Sequence, residues 1–444
     1  MSVEDRVRAA TRARAALVRD VRPLDLPEVP GRAPRSRRWV AWTAPVAAAA
    51  AVAALAISLA TVRHIPNAPV TPAAPVTLPA VSGALPEYYA ALDDPSGPIT
   101  QILPGQHETP VSVQVGDDRT GTLVATVHPP AGQTFAGLTA AADDRTFVVA
   151  AERFPVQPLL PSANPVAWYL LRLTPGSADP VTVTRLPIPA EPAGTQVSAI
   201  ALAPDGRELA VMFQRNVRSG KPGPLVISLY SLATGASVRT WTADTKGFPA
   251  GFGWYYGRYS NTALTWLDGG RTLAVTDGIN TSASGPPFTY GFSQVTIRTV
   301  DADSPSGNLL DISTVVFRVP DGADCDTVQL TGDGQTVLCA QYGGNTAKRS
   351  TADAPKFVAY SVATGKSRLL YQLKGAYEVG LADVLWASPT GSTLLGAVYA
   401  ETTWPHPGTR QGPAHQAAGL LTKGIFTPAT FPLTAIPFAG EIAF

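Results

Sequence analysis

The feature that most constrains the fold is a turn motif that recurs five times between residues 142 and 396. Its clearest copy is Pro204-Asp205-Gly206-Arg207, and Asp and Gly are residues that tight hairpin turns favour. Successive copies are 62, 64, 64 and 57 positions apart, measured between Arg145, Arg207, Arg271, Gln335 and Ser392. Each copy follows one β-like apolar run and precedes another. A fixed period of this length indicates a repeat architecture.

A second strand pair follows the motif within each repeat. Its turns are nearly the same in two repeats, Ala233-Thr234-Gly235 and Ala363-Thr364-Gly365, and apolar runs flank both. Four short antiparallel strands per repeat make one propeller blade. Residues 87–444 number 358 (444 − 86), which is about six periods. The sequence therefore predicts an all-β fold, a six-bladed β-propeller with four-stranded antiparallel blades.

The first blade lacks the turn motif and needs a strand from elsewhere. Its own part of the sequence supplies three strands, Tyr88–Leu92, Val111–Val115 and Leu123–His128. The C-terminal run Glu441–Phe444 is the predicted fourth strand. Pairing it with the first blade would close the ring and remove the exposed sheet edges of a linear array.

The pattern Pro-Asp-Gly-Arg-x-Leu-Ala resembles the WD40-like repeat of TolB-type exported bacterial propellers. The resemblance covers roughly residues 135–400. It departs from true WD40 repeats, which have a period of about 40–45 residues and carry Gly-His and Trp-Asp signatures. The arrangement of the whole chain also resembles a class of membrane-anchored propellers of high-GC bacteria, and that resemblance implies architecture only.

An uncharged apolar segment precedes the propeller. Trp39–Val62 holds 24 residues without a charged side chain, and about 20 suffice for a helix to cross a membrane. Residues 1–38 carry ten Arg and five acids, against a net −4 for residues 63–444. The positive-inside rule then predicts a single transmembrane helix at 39–62 in the cell membrane, with the N-terminus cytoplasmic and the propeller extracytoplasmic. A cleaved signal peptide, cut near Ser58-Leu59-Ala60, and a buried core helix remain alternatives.

Two further segments lie on either side of this span. Residues 3–21 of the cytoplasmic tail, 1–38, have the spacing of a short amphipathic helix, which could contact anionic lipid or dock a cytoplasmic partner. Residues 63–86 form a Pro-rich spacer in which Pro66, Pro69, Pro72 and Pro75 recur every third residue. That period is typical of polyproline II, a stiff extended helix. The propeller is expected to occupy residues 87–444.

Motifs for catalysis or metal binding are missing from the sequence. It has no Gly-x-Ser-x-Gly elbow, P-loop or dinucleotide fingerprint. His406 and His415 lie nine residues apart, which is more typical of solvated side chains than of a metal site. No segment has the composition of a nucleic-acid-binding module. We therefore expect no enzyme, no cofactor, no metal and no nucleic-acid partner, with an exported hydrolase or lactonase as a remote alternative.

The two cysteines flank the hairpin of the fifth repeat. A disulfide between Cys325 and Cys339 is possible outside the membrane, and buried free thiols are the alternative. Pairing Thr331 with Thr336 would place Val328, not Cys325, opposite Cys339. A bond between them would require Cys325 to leave the strand or the register to change.

The long connections of the predicted propeller all emerge on one side. We call this side, formed by the connections between second and third strands and between blades, the looped face; the side with the tight turns is the turn face. The long connections are Arg153–Pro165, Gln214–Pro224, Gly278–Gly291, Gly343–Pro355, Glu401–His415 and Asp244–Asn261. Insertions confined to one face of a repeat protein typically mark its binding face.

These connections are rich in basic and aromatic residues. They hold nine bases and three acids, although the domain as a whole is acidic. The candidate binding residues are Arg153, Arg215, Arg218, Lys221, Trp254, Tyr255, Arg258, Lys348, Arg349, Trp404 and Arg410. The alternative is that these are solvated loops whose aromatic residues pack between blades.

The sequence thus favours a non-enzymatic, membrane-anchored extracytoplasmic binding module that engages an envelope ligand or protein through the looped face. The alternative is a single-pass transmembrane signalling protein, an anti-sigma-like regulator with the propeller as its sensor. Residues 1–38 are short for that role and lack the His and Cys of a zinc-bound anti-sigma domain.

Overall fold

The fold is taken from a computed structural model. It describes residues 86–93, 109–154, 166–189, 195–215, 225–243, 252–253, 263–280, 292–321, 323, 325–341, 354–374, 379–401, 414–429 and 442–444. The predicted cytoplasmic tail, transmembrane segment 39–62 and spacer residues 63–85 lie outside these ranges. Among the residues that are described, no helix is both long and apolar enough to span a bilayer.

The first half of the described chain forms three antiparallel sheets. Blade 1 contains β1 (Tyr88–Asp93), β2 (Ser112–Asp117) and β3 (Thr122–Val127). Blade 2 contains β4 (Gln133–Ala140), β5 (Thr146–Arg153), β6 (Ala167–Leu173) and β7 (Val181–Arg185). Blade 3 contains β8 (Thr195–Leu202), β9 (Glu208–Arg215), β10 (Leu225–Ser231) and β11 (Ser237–Ala243).

The second half forms three more sheets. Blade 4 contains β12 (Phe252–Gly253), β13 (Leu264–Leu267), β14 (Thr272–Asn280), β15 (Phe292–Asp301) and β17 (Thr314–Arg318), and β16 (Gly307–Asn308) precedes a short helix, α1 (Leu309–Ile312). Blade 5 contains β18 (Cys325–Leu330), β19 (Thr336–Gln341), β20 (Lys356–Ser361) and β21 (Ser367–Gln372). Blade 6 contains β22 (Val379–Ala387), β23 (Thr393–Glu401), β24 (Ala414–Thr422) and β25 (Ile425–Ala429), and β26 (Ile442–Ala443) ends the chain. Six sheets of this kind confirm the six-bladed propeller.

Six hydrophobic clusters hold the blades together, one at each boundary between neighbours. The cluster between blades 2 and 3 is representative, with Trp168, Ile200, Leu209 and Phe213 buried in it. Each blade has apolar residues on both of its faces, and these pack against the blades on either side. The sixth cluster joins blade 6 to blade 1 and closes the ring.

The C-terminal strand closes the ring, as the sequence predicts. Strand β26 pairs antiparallel with β1, with Ala90 opposite Ala443 and Ala91 opposite Ile442. It becomes the innermost strand of blade 1, in the order β26-β1-β2-β3. The Phe444 ring lies 5.8 Å from the Tyr89 ring and 6.1 Å from the Trp386 ring, measured between centroids. The first blade is therefore built from both ends of the propeller.

The turn motif has a local physical cause. Asp205 accepts a hydrogen bond of 3.0 Å from the backbone N–H of Arg207, and Asp143 and Asp333 make the same contact in their own blades. An aspartate that bonds to the backbone two residues on stabilises a tight turn. The residue that follows the aspartate has a positive φ, which is +68° at Gly206 and which glycine adopts without a steric cost.

The two cysteines form a disulfide, and a β-bulge makes it possible. The register has Val328 opposite Cys339, as predicted, but Asp326 is an extra residue that places Cys325 opposite Gln341. Residues 339 and 341 of one strand point to the same face of the sheet, so the bulge brings Cys325 to the face of Cys339. Their Cα atoms are 5.4 Å apart, and both residues are buried. The change of register that the sequence left open is therefore the correct alternative.

One expectation about the turn face is wrong. Blade 4 joins its third and fourth strands not by a tight turn but by residues 302–313, which contain β16 and α1. Strand β16 pairs in parallel with β11, the outermost strand of blade 3, so that this sheet has five strands. Leu309 of α1 is fully buried against the blade 3–4 cluster. The insertion covers an edge strand, and covering such an edge limits unwanted pairing.

Candidate functional site

The looped face exists as a consistent feature of the described blades. The second-to-third connections span residues 94–111, 154–166, 216–224, 281–291, 342–355 and 402–413. Apart from 302–313 and 174–180, the turns at the other ends of the strands are five residues or fewer, for example 203–207 and 423–424. Because antiparallel strands alternate in direction, all the second-to-third connections leave the propeller on the same side.

The candidate binding residues fall into two groups with respect to the structure. Arg153 is the exposed last residue of β5 and lies opposite Gln133. Arg215 ends β9 opposite Thr195, and both strand ends meet the looped face. The other candidates lie outside the described residues: Arg218, Lys221, Trp254, Tyr255, Arg258, Lys348, Arg349, Trp404 and Arg410.

The connection Asp244–Asn261 is not purely a link between blades, which corrects the sequence interpretation. Phe252–Gly253 forms β12, which pairs with β14 opposite Ile279 and Gly278, and β13 pairs with the same strand from Val275 onwards. The innermost strand of blade 4 is thus interrupted. Between β12 and β13, only two residues would be needed to continue the strand opposite Thr276 and Asp277. The chain has ten residues there, 254–263.

This interruption occurs where other blades have a bulge. The innermost strands of blades 2, 3 and 5 each carry one extra residue at the corresponding position, which is Ala136, Ser198 or Asp326, and blade 6 has its extra residue, Leu385, two positions nearer the turn. Bulges are frequent positions for insertions and for redirecting the chain. Blade 4 therefore has a loop at a position where blades 2, 3 and 5 have a one-residue irregularity. That loop begins with the predicted aromatic run at 254–256.

A buried ion pair lies in β14 and β15, at the level of this interruption. The Asp277 carboxylate accepts a hydrogen bond of 3.0 Å from the Arg298 guanidinium Nε, and the Asp277 side chain is 4% exposed. Burial raises the pKa of Asp277 to about 6, and the charges of Arg298 and Arg318 oppose the rise. This pair could not be predicted from the sequence, because Asp277 stands in an apolar strand with no motif around it.

The Asp277→Asn variant is expected to show a weaker dependence of stability on pH between about 4 and 6. In the natural chain the folded state keeps a proton on Asp277 up to about pH 6, whereas the unfolded state loses it near 3.8. The contribution of Asp277 to the free energy of unfolding therefore falls as the pH rises through this range, and asparagine removes that contribution. Thermal denaturation across the range measures the slope. The exposed control Asp179→Asn should keep the natural slope, and equal slopes for all three chains would contradict the assignment.

Both ends of the described propeller lie on the turn face. The Glu87 backbone N–H donates a 2.6 Å hydrogen bond to the Asp144 carboxylate in the turn before β5. The Glu87 carboxylate contacts the Arg145 guanidinium at 3.3 Å and also pairs with Arg119. Phe444 follows β26 at the same end of blade 1. A partner can therefore approach the looped face without meeting either end of the propeller.

Metal-binding groups are sparse in the part of the chain that the structure covers. Within it, no three His, Cys, Asp or Glu residues come close enough to hold a metal ion. The backbone of His415 lies in β24, opposite Ala400, and His406 is outside the described residues.

Comparisons with known proteins do not add to the site. No protein-family model and no curated protein matches the chain. Among solved structures, TolB from Acinetobacter baumannii is 15% identical over 82% of this chain and 68% of its own, with a TM-score of 0.41. An oligogalacturonate lyase in complex with manganese is 14% identical over 67% of this chain and 74% of its own, with a TM-score of 0.38. The tricorn protease is 12% identical over 71% of this chain and 29% of its own, with a TM-score of 0.37. The chain is thus a six-bladed β-propeller by its own sheet topology, and TolB-like propellers are among the solved structures similar to it.

Proposed function

We propose that this protein is a non-enzymatic, membrane-anchored extracytoplasmic module that binds an anionic envelope ligand or an acidic protein surface through its looped face. The observation that carries the proposal is the asymmetry of the propeller: long connections leave one side of the blades, and the opposite side has mostly tight turns. Function in repeat proteins concentrates on the side that bears the insertions.

The buried disulfide supports the extracytoplasmic location. Cys325 and Cys339 are bonded, and disulfides persist in oxidising compartments but are rare in the cytosol. The uncharged segment 39–62, flanked by arginines on its N-terminal side, is the proposed anchor. Together they favour a propeller held outside the membrane by its N-terminal segment.

The charge of the looped connections favours an anionic partner. Six of their nine bases are arginines, which bind carboxylates and phosphates in a two-pronged geometry. Arg153 and Arg215 stand at the ends of the second strands of two adjacent blades, 2 and 3. Such a surface also accelerates association with an oppositely charged partner.

Charge reversal at Arg215, Arg218 and Lys221 tests the proposal. Binding of fluorescent dextran sulfate to the full chain should weaken at least tenfold when the three residues are changed to Glu, because attraction becomes repulsion. A matched control changes three exposed bases of the turn face, Arg207, Arg271 and Lys423, to Glu. Unchanged binding in the first variant, or equal weakening in the control, would exclude the looped face as the binding surface.

Cross-linking of the intact membrane form distinguishes the signalling alternative. Under our proposal, cross-links to partners fall on the looped connections. Cross-links concentrated on residues 1–38, to a cytoplasmic factor, would favour the anti-sigma-like regulator instead.

A further inference from the structure

The covered edge of blade 3 shows how an extended segment binds to an outermost strand of this propeller. Strand β16 pairs in parallel with β11, with Gly307 opposite Trp241 and Asn308 opposite Thr242. The indole N–H of Trp241 donates a 3.2 Å hydrogen bond to the Pro305 carbonyl. An outermost strand can therefore accept a further strand, and residues beside that strand can fix its position.

Blade 5 has the corresponding edge without such a cover in the described chain. Its Ala363-Thr364-Gly365 turn matches Ala233-Thr234-Gly235 of blade 3, so β21 corresponds to β11 and Gln372 to Thr242. Strand β21 ends its sheet in the described part of the chain. Blade 3 is covered by the long third-to-fourth connection of blade 4. The same connection in blade 6 is only Lys423-Gly424, which lies close to the Leu370 carbonyl of β21 but is too short to add a strand beside it.

The outer half of blade 5 is also the most basic in the propeller. Residues 356–372, which cover β20, β21 and their turn, hold Lys356, Lys366 and Arg368 and no acid, a net +3. The same region of each other blade is +1 or −1. Charge of one sign along a strand edge favours a partner of the opposite sign.

A groove lies beside this edge, on the face of blade 5 that is turned toward blade 4. Its volume is about 330 Å³, and its lining includes Lys356, Ser367, Leu369 and Gln372. Leu369 is 55% exposed, and the outer strands of other blades also carry single exposed apolar side chains, such as Leu123 and Val183. The groove therefore offers a positive charge, polar groups and an apolar contact next to the same strand.

We propose that the edge of β21 binds an extended acidic peptide segment of a protein partner by strand addition. Main-chain hydrogen bonds to the edge would supply affinity, and the adjacent groove would select an aliphatic side chain between acidic ones. A peptide fits better than a polysaccharide because only a peptide backbone matches a row of strand N–H and C=O groups. This site is separate from the looped face.

One backbone group allows the mode of binding to be tested. The Leu373 N–H donates to the Pro355 carbonyl, toward the interior of the sheet. Successive N–H groups of a strand point in opposite directions, so the Gln372 N–H points to the open edge. Proline at 372 would remove a donor to the incoming strand and keep the ladder to β20.

The experiment measures fluorescence anisotropy of a labelled peptide of alternating Glu and Val with the full chain in detergent micelles. The Lys366→Glu/Arg368→Glu variant is expected to bind at least tenfold more weakly, and Gln372→Pro at least fivefold. The matched control reverses two exposed bases on the outer strands of blade 2, Arg172→Glu/Arg185→Glu, and should bind as the natural chain does. Circular dichroism verifies that each variant is folded.

Three results would overturn the proposal. Undiminished binding by the blade 5 charge variant, or equal loss in the blade 2 control, would show that the peptide binds elsewhere. If the Gln372→Pro variant binds the peptide as tightly as the natural chain does, the peptide is held by charge and not by strand addition. The third test compares two competitors of the labelled peptide, dextran sulfate and unlabelled peptide, at equal concentrations of charge. If dextran sulfate displaces the labelled peptide as effectively as unlabelled peptide does, the site binds polyanions in general.

Discussion

Truncation of the chain after residue 441 is expected to lower the free energy of unfolding by about 5 kcal/mol or more. The change removes β26 and the residue after it; Ile442, Ala443 and Phe444 are 0%, 5% and 8% exposed. Losing a single large buried side chain costs about 3–5 kcal/mol, and this truncation also removes the inner neighbour of β1. Urea denaturation followed by tryptophan fluorescence measures the loss.

Two point variants separate ring closure from general damage. Phe444→Ala should cost about 3 kcal/mol, because it removes one buried ring, including its contacts with Tyr89 and Trp386, and leaves β26 in place. Ile425→Ala, on the outer strand β25 at 69% exposure, should change the stability by less than about 0.5 kcal/mol. A truncated chain that unfolds at the same urea concentration as the natural one would refute the closing role of β26.

Removal of the disulfide by Cys325→Ala/Cys339→Ala is expected to cost about 3 kcal/mol under oxidising conditions. The bond joins residues 14 positions apart and restricts the unfolded chain, and both cysteines are buried between β18 and β19. Thermal denaturation of the oxidised protein and of the variant measures the difference.

The control for this prediction is the same pair of chains unfolded with an excess of reductant. Once the natural chain is reduced, only the packing of two small side chains distinguishes it from the variant, and the difference should fall below about 1 kcal/mol. A variant as stable as the oxidised natural chain would show that the bond does not contribute to stability.

The fold could be predicted from the sequence because its determinants are local and repeated. The Asp-Gly turn bonds within itself, as at Asp205 and Arg207, so the same few residues produce the same hairpin in successive blades. Five copies of the turn motif, 57 to 64 residues apart, set the number of blades together with the length of the chain. The first blade lacked a fourth strand of its own, and the apolar C-terminal run could supply it. The register in blade 5 followed from the same turn, with Val328 opposite Cys339.

The site was less predictable because its decisive features depend on contacts distant in sequence. Nothing near Asp277 indicates that Arg298, 21 residues later, lies beside it. The interruption of the innermost strand in blade 4 is visible only once β12 and β13 are seen to share β14 as partner. The cover over β11 comes from the neighbouring blade, 64 residues from Trp241.

The sequence by itself determined the class of fold, the number of blades, the closure by the C-terminal strand and the side from which the long connections emerge. All four follow from turn chemistry and from the alternation of strand direction, which act over a few residues at a time. Only the tertiary structure decided whether the cysteines pair, which blade edge is covered and where a buried charge finds its partner. Those outcomes depend on single-residue bulges and on contacts between blades, and a one-residue change of register transfers a side chain to the other face of its sheet.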